Sequence, residues 1–163
     1  MMKAWYRGWI YGMCAMGWLV SVQASEMVVT VQTHFVGEPV TEVVVDEATI
    51  SRLPQYEIVT GTPWDDGVHS YRGPRLLDLL NRLGIKQGRQ VTLHALNEYS
   101  ATLPFSDLRD FSVILAHSQD GQPLSVRQRG PFFLMYPFDE LPRLKSKLYY
   151  ARSVWQIDRI TVE

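Results

Sequence analysis

Cysteine is nearly missing from this chain: its 163 residues hold one, Cys14, inside an apolar N-terminal run. Once that run is set aside, the rest can form no disulfide, offer no thiolate to a metal and supply no cysteine nucleophile. An excess of positive charge is missing as well. Sixteen Lys and Arg face 17 Asp and Glu, a net charge of -1, so the basic footprint that nucleic-acid binding needs is absent. The four histidines, His34, His69, His94 and His117, are nowhere spaced at i, i+2 or i, i+4. They read as solvated or core histidines and predict no metal site. Ser100, Ser106 and Ser125 lack the Gly-x-Ser-x-Gly context of a serine hydrolase, and no phosphate loop or dinucleotide fingerprint occurs. Repeats, low-complexity tracts and long linkers are also lacking, which leaves one domain.

What is present begins with an export signal. Lys3 and Arg7 precede an uncharged apolar run, Ile10 to Val22, and Val22-Gln23-Ala24 offers small residues where a signal peptidase cuts. The reading is a Sec-type leader over residues 1–24 and a single periplasmic domain over 25–163, the alternative being an uncleaved anchor. Cys14 follows Gly12-Met13 without a lipobox leucine, so it is not read as a lipid attachment site. Removing the two leader bases leaves 14 bases against 17 acids, a weakly acidic domain of 139 residues. That length is enough to bury a sizeable core without cross-links.

Val-rich segments Met27 to Gln32 and Glu42 to Val45, separated by Gly37-Glu38-Pro39, predict an opening pair of strands. Asp46 to Leu53 reads as one helical turn, Tyr56 to Thr60 as a strand and Gly61 to Gly73 as a loop. Pro74 to Leu83 is the clearest helix, with Leu76, Leu77, Leu80 and Leu83 on one stripe and Gly84 beyond its end. Strands are predicted over Gln90 to Leu96, Ser100 to Pro104, Ser112 to His117, Pro131 to Tyr136 and Val154 to Val162. Ser106 is placed as a helix cap and Gln119-Asp120-Gly121-Gln122 as a tight turn.

Chemistry gathers in segments assigned to loops: Thr60-Gly61-Thr62-Pro63-Trp64, Asn97-Glu98-Tyr99, Arg127 to Arg129, and Tyr149-Tyr150-Ala151-Arg152-Ser153. Such a set suits a planar heterocycle, with aromatic rings on its face and carboxylate, amide and guanidinium groups on its edge.

Several segments occur in a telling order: Tyr71-Arg72-Gly73-Pro74-Arg75-Leu76-Leu77-Asp78-Leu79-Leu80, Asn97 to Pro104, Gly121-Gln122-Pro123-Leu124, Gly130-Pro131-Phe132 and Ala151-Arg152-Ser153-Val154-Trp155. Together they resemble the molybdopterin-binding domain of the sulfite oxidase superfamily over about residues 42–162. The resemblance implies an α+β fold dominated by mixed β-sheet with few short helices, and a pterin pocket built by loops. It also implies a molybdenum-ligating cysteine before the Gly-Pro-Arg-Leu-Leu segment, but Tyr56 to Trp64 has none, and Thr60 or Thr62 cannot replace a soft thiolate. Nor does the leader contain the twin arginine of proteins exported with this cofactor already loaded.

In this cysteine-free form the chain is similar to periplasmic pterin-binding regulators. The implied function is a non-enzymatic sensor that binds a pterin without molybdenum. It would dock on the periplasmic region of a membrane receptor that makes or degrades cyclic-di-GMP. The expected ligand residues are Thr60, Trp64, Asn97, Glu98, Tyr99, Arg129, Arg152 and Ser153. Trp64 or Tyr99 would cover the ring, Glu98 would take the amino-pyrimidine edge, and Arg152, oriented by Ser153, would donate to a carbonyl or hydroxylated tail. The alternatives are a molybdopterin-dependent oxidoreductase or its subunit, and an interaction domain whose pocket has decayed.

Overall fold

A computed structural model describes residues 27–163; the leader assigned to residues 1–24 lies outside the described residues. Strands β1 (Val29–Thr33), β2 (Thr41–Val45), β5 (Gln90–Ala95), β6 (Ser100–Pro104) and β11 (Ile157–Val162) form one sheet in the order β2-β1-β11-β5-β6. β1 runs parallel to β11 and the other pairs are antiparallel, so the sheet is mixed. Alternation explains these strands: Val29 and Val31 on β1, and Val91, Leu93 and Ala95 on β5, all point into the core while their neighbours face outward.

A second, antiparallel sheet has the order β3 (Gln55–Thr62), β4 (Asp65–Pro74), β8 (Ser118–Gln119) and β9 (Gln122–Pro123). A separate antiparallel pair, β7 (Ile114–Ala116) and β10 (Phe133–Met135), is the most apolar, and every residue of it is buried. Short helices fill the remaining edges: α1 (Glu47–Arg52), α2 (Leu76–Arg82), α3 (Phe105–Asp110) and α4 (Lys147–Arg152). The Asp46 carboxylate caps α1 by accepting from the Thr49 amide at 2.8 Å, and hydrogen bonding from Thr49, its hydroxyl first and then its amide, holds the carboxyl below its ordinary range. α2 buries Leu76, Leu79 and Leu80. The architecture is the expected α+β fold.

Four local assignments need correction. Gly61 to Gly73 is a hairpin, not a loop, since β3 and β4 pair from Gln55–Pro74 to Thr62–Asp65 around Pro63 and Trp64. Its Gly and Asp residues serve a bulge in which Gly67 takes φ +87°. Pro74 closes β4 instead of opening the helix, which starts at Leu76. Ser106 lies inside α3, where Pro104 holds the cap position. Tyr149 to Arg152 belongs to α4. The tight turn over Gln119 to Gln122 is as read, with φ +50° at Asp120 and +75° at Gly121, values that match the twist of a two-residue hairpin.

At Gly73 β4 passes so close to β7 that a Cβ there would run into the backbone of Leu115 and Ala116. Gly73→Ala should therefore force β4 and β7 apart and lower stability by about 3 kcal/mol, read as a reduced urea midpoint.

Candidate ligand cavity

Three segments meet at one end of the sheets: the β3–β4 turn with Trp64, the β5–β6 turn with Asn97 and Tyr99, and the stretch from α4 into β11. They enclose a cavity of about 340 Å³ lined by Trp64, Asn97, Tyr99, Tyr150, Ala151, Ser153, Val154 and Trp155. Its size is at the lower end of small-molecule sites, roughly 300–1,000 Å³. Trp64 is held edge-on against Phe133, Tyr150 and Trp155, with centroids 5.6, 5.8 and 5.7 Å away. Such contacts fix an indole that a turn would otherwise leave free.

Tyr99 joins the opposite wall by donating its hydroxyl to the Ala151 carbonyl at 2.9 Å. The Asn97 carbonyl oxygen accepts from the Tyr99 amide at 3.1 Å, which leaves the Asn97 NH₂ for a ligand. Ser153 donates to the Tyr149 carbonyl at 3.0 Å and keeps its oxygen lone pairs. The cavity thus has aromatic walls whose polar groups are the Asn97 amide, the hydroxyls of Tyr99, Tyr150 and Ser153 and the indole N–H groups of Trp64 and Trp155, and among the described residues no charged side chain lines it.

Of the residues expected from sequence, Trp64, Asn97, Tyr99 and Ser153 come together here, and Thr60, Glu98, Arg129 and Arg152 do not line the cavity. Thr60 is buried on β3, where its hydroxyl accepts from the Asp139 amide at 3.1 Å and fastens the segment after β10. Glu98 occupies the exposed crest of the β5–β6 turn at φ +67°. Arg129 lies behind the aromatic wall. Its guanidinium donates to Asp65 at 2.5 Å and to the Trp64 carbonyl at 3.2 Å, and sits 6.0 Å from the Trp155 ring. Arg152 turns away from the cavity to meet the carboxylate of Asp107 at 2.9 Å, which also accepts from Tyr136 at 2.9 Å. Glu98 and Arg152, expected to read the edge of a ring, thus stand outside the lining of this cavity. The physical reason for Arg152 is plain: Asp107 is 5% exposed and needs a cation.

The sequence placed Tyr150 in a candidate segment without counting it among the expected ligand residues, and it gave no sign of Val154 and Trp155 as wall residues, although they follow Arg152 and Ser153 directly. It also missed Asp65 and Asp107, the acids that occupy the two arginines.

The donor set can be matched against the ligands of this fold. Among the described residues there is no cysteine, and no cluster of three or more His, Cys, Asp or Glu is placed to hold a metal. Among those residues no cation lines the cavity to take the phosphate that a molybdopterin side chain carries. The residues fit a flat, neutral ring system and do not fit a molybdenum–thiolate centre.

The oxidoreductase molybdopterin binding domain family matches residues 24–162, and the chain belongs to that family. Among solved structures it is similar to the sulfane dehydrogenase SoxCD from Paracoccus pantotrophus, with a TM-score of 0.60 and 17% identity. The likeness covers 83% of this chain and 37% of that one, so the shared part is the fold of one domain within a longer protein. No curated protein matches the chain.

Two tests follow from the buried anchors. Arg152→Ala strands the Asp107 carboxylate in the core, so it should lower stability by about 3–5 kcal/mol in a denaturant melt. Burial pushes the Tyr71 phenol up to about 12, and burial beside Asp107 raises Tyr136 further. Both phenols bind their protons more tightly folded than unfolded. Their contribution is complete below the ordinary tyrosine value of about 10 and is lost as pH rises through the folded value. Alkaline titration followed by phenolate absorbance should show these two ionising only together with unfolding.

Proposed function

We propose that this domain is a pterin-binding sensory module that does no redox chemistry of its own. The observation that carries the reading is the neutral aromatic cavity in a member of a molybdopterin-binding family, with no thiolate beside it among the described residues. A pterin ring would lie against Trp64, Tyr99 or Trp155, with the Asn97 amide and the Ser153 hydroxyl on its edge. Stacking of a heterocycle on an aromatic side chain is worth roughly 1–3 kcal/mol.

The wider role is a proposal of the same kind. After cleavage behind Ala24 the domain works in the periplasm and docks on the periplasmic region of a membrane receptor that makes or degrades cyclic-di-GMP. Support comes from the basic and apolar N-terminal pattern and from the resemblance to cysteine-free regulators. Among the described residues no helix is long and apolar enough to cross a membrane. Regulation of this kind requires only that the ligand favour one docking state by a few kcal/mol.

Extraction of the protein purified from the periplasm should release a fluorescent pterin, and titration calorimetry should measure its return. Trp64→Ala should weaken binding by about 5- to 150-fold, and Asn97→Ala by about 2- to 10-fold. Elemental analysis should find no stoichiometric molybdenum. A content near one atom per chain would overturn this reading in favour of an oxidoreductase, and absence of pterin binding by the wild type would leave an interaction domain alone.

A further inference from the structure

We propose that His69, as an imidazolium donating from both ring nitrogens, fastens the turn that carries Trp64 and so makes the aromatic cavity pH-dependent. As regulation of a ligand site this rests on the pterin reading above, whereas the clamp itself can be judged without any ligand.

The geometry is specific. Nδ1 of His69 lies 2.7 Å from the Asp120 carboxylate and Nε2 lies 3.0 Å from the Asp66 carbonyl. Both partners are acceptors at these positions. A neutral imidazole has one N–H and can serve only one of them; the imidazolium serves both. Asp120 is itself fixed to β4, since its other carboxylate oxygen accepts from the Ser70 amide at 2.9 Å and its own amide donates to the Ser70 carbonyl at 2.8 Å. Asp66 instead belongs to the bulge between the Trp64 turn and the body of β4, next to Gly67 in its left-handed conformation. His69 therefore ties the bulged side of the hairpin to the β8–β9 turn. Arg129 holds the other side through Asp65 and the Trp64 carbonyl. Of the two clamps, only the histidine can release within the physiological range, since a guanidinium does not titrate there.

The groups facing His69 are identifiable. From the β3–β4 turn come Asp65 and Asp66, from the β8–β9 turn Asp120, and from β4 itself Tyr71, whose ring centroid is 6.5 Å away. Glu57 on β3 bonds the Ser70 hydroxyl, and Arg129 approaches through Asp65. None of these side-chain types ordinarily titrates in the histidine range. The hydrogen bond to Asp120, helped by the Asp66 carbonyl, raises His69 above its usual value. Burial lowers His94 and His117, which places their titrations on the acid side. The clamp is thus complete below the unfolded histidine value of about 6.5 and opens as pH rises through the raised folded value.

The experiment uses the purified protein with ¹⁵N-labelled histidine. At about pH 6 His69 should show two ring N–H groups, with a midpoint above that of a free histidine. The near-ultraviolet circular dichroism of the Trp64–Trp155 pair, assigned with Trp64→Phe, should change with the same midpoint. Asp120→Asn should move that midpoint to lower pH, and His69→Gln should flatten the change. Unsubstituted pterin should bind about 2- to 10-fold more weakly at about pH 8.5 than at pH 6, relative to His69→Gln, the worth of one net hydrogen bond. A single ring N–H at pH 6, or a tryptophan signal that stays flat while His69 titrates, would overturn the clamp. Failure of pterin to bind at any pH would sink the ligand reading, and the tryptophan signal would still decide on the clamp.

Discussion

Asp107 carries its charge into the core on α3, and much of the cavity's architecture follows from how that charge is met. Its partner Arg152 is the last residue of α4, and Tyr136, just after β10, adds a second donor to the same oxygen. Buried ion pairs add little net stability over a well-packed apolar replacement, but they make every arrangement that leaves one charge alone very costly. α4 is therefore confined to one register against α3 and β10. That register is what presents Tyr150 and Ala151, and then Ser153 and Trp155, to the cavity.

The second arginine repeats the logic on the opposite wall. Arg129 meets Asp65, which also accepts from Tyr71 at 3.3 Å, so a Tyr–Asp–Arg group stands behind Trp64 as another stands behind α4. Each guanidinium is spent on an internal acid and also lies over an aromatic ring, Trp155 for Arg129 and Tyr149 for Arg152. A cavity between two positively charged supports consequently shows a ligand only neutral groups. This separates holding the walls from reading the ring.

The parts of this structure legible in the sequence are those where a local rule suffices. β1, β5 and β6 follow from two-residue alternation, and the Gln119–Gln122 turn from its Asp-Gly pair. The β3–β4 hairpin was hidden because Gly, Asp and Pro mark a bulged hairpin as well as they mark a loop. α4 has six residues, too few for a helical period to register. In the site, Trp64, Asn97, Tyr99 and Ser153 could be picked out because aromatic and small polar residues at chain reversals commonly face ligands. Arg129 and Arg152 looked equally suitable. Their true partners lie 64 and 45 residues away in sequence, a distance over which no spacing rule operates.

The place of β11 carries a consequence for how the chain reaches this state. The last strand in sequence is the middle strand of the five-stranded sheet, inserted between β1 and β5. Until residues 157–162 are available, β1–β2 and β5–β6 remain two separate hairpins with exposed inner edges, and a two-stranded hairpin is barely stable alone. The segment that closes the sheet is continuous with the one that supplies Trp155 to the cavity. Residues 157–162 are therefore what joins two local hairpins into one sheet, and the inner edges of β1 and β5 have no other strand to pair with.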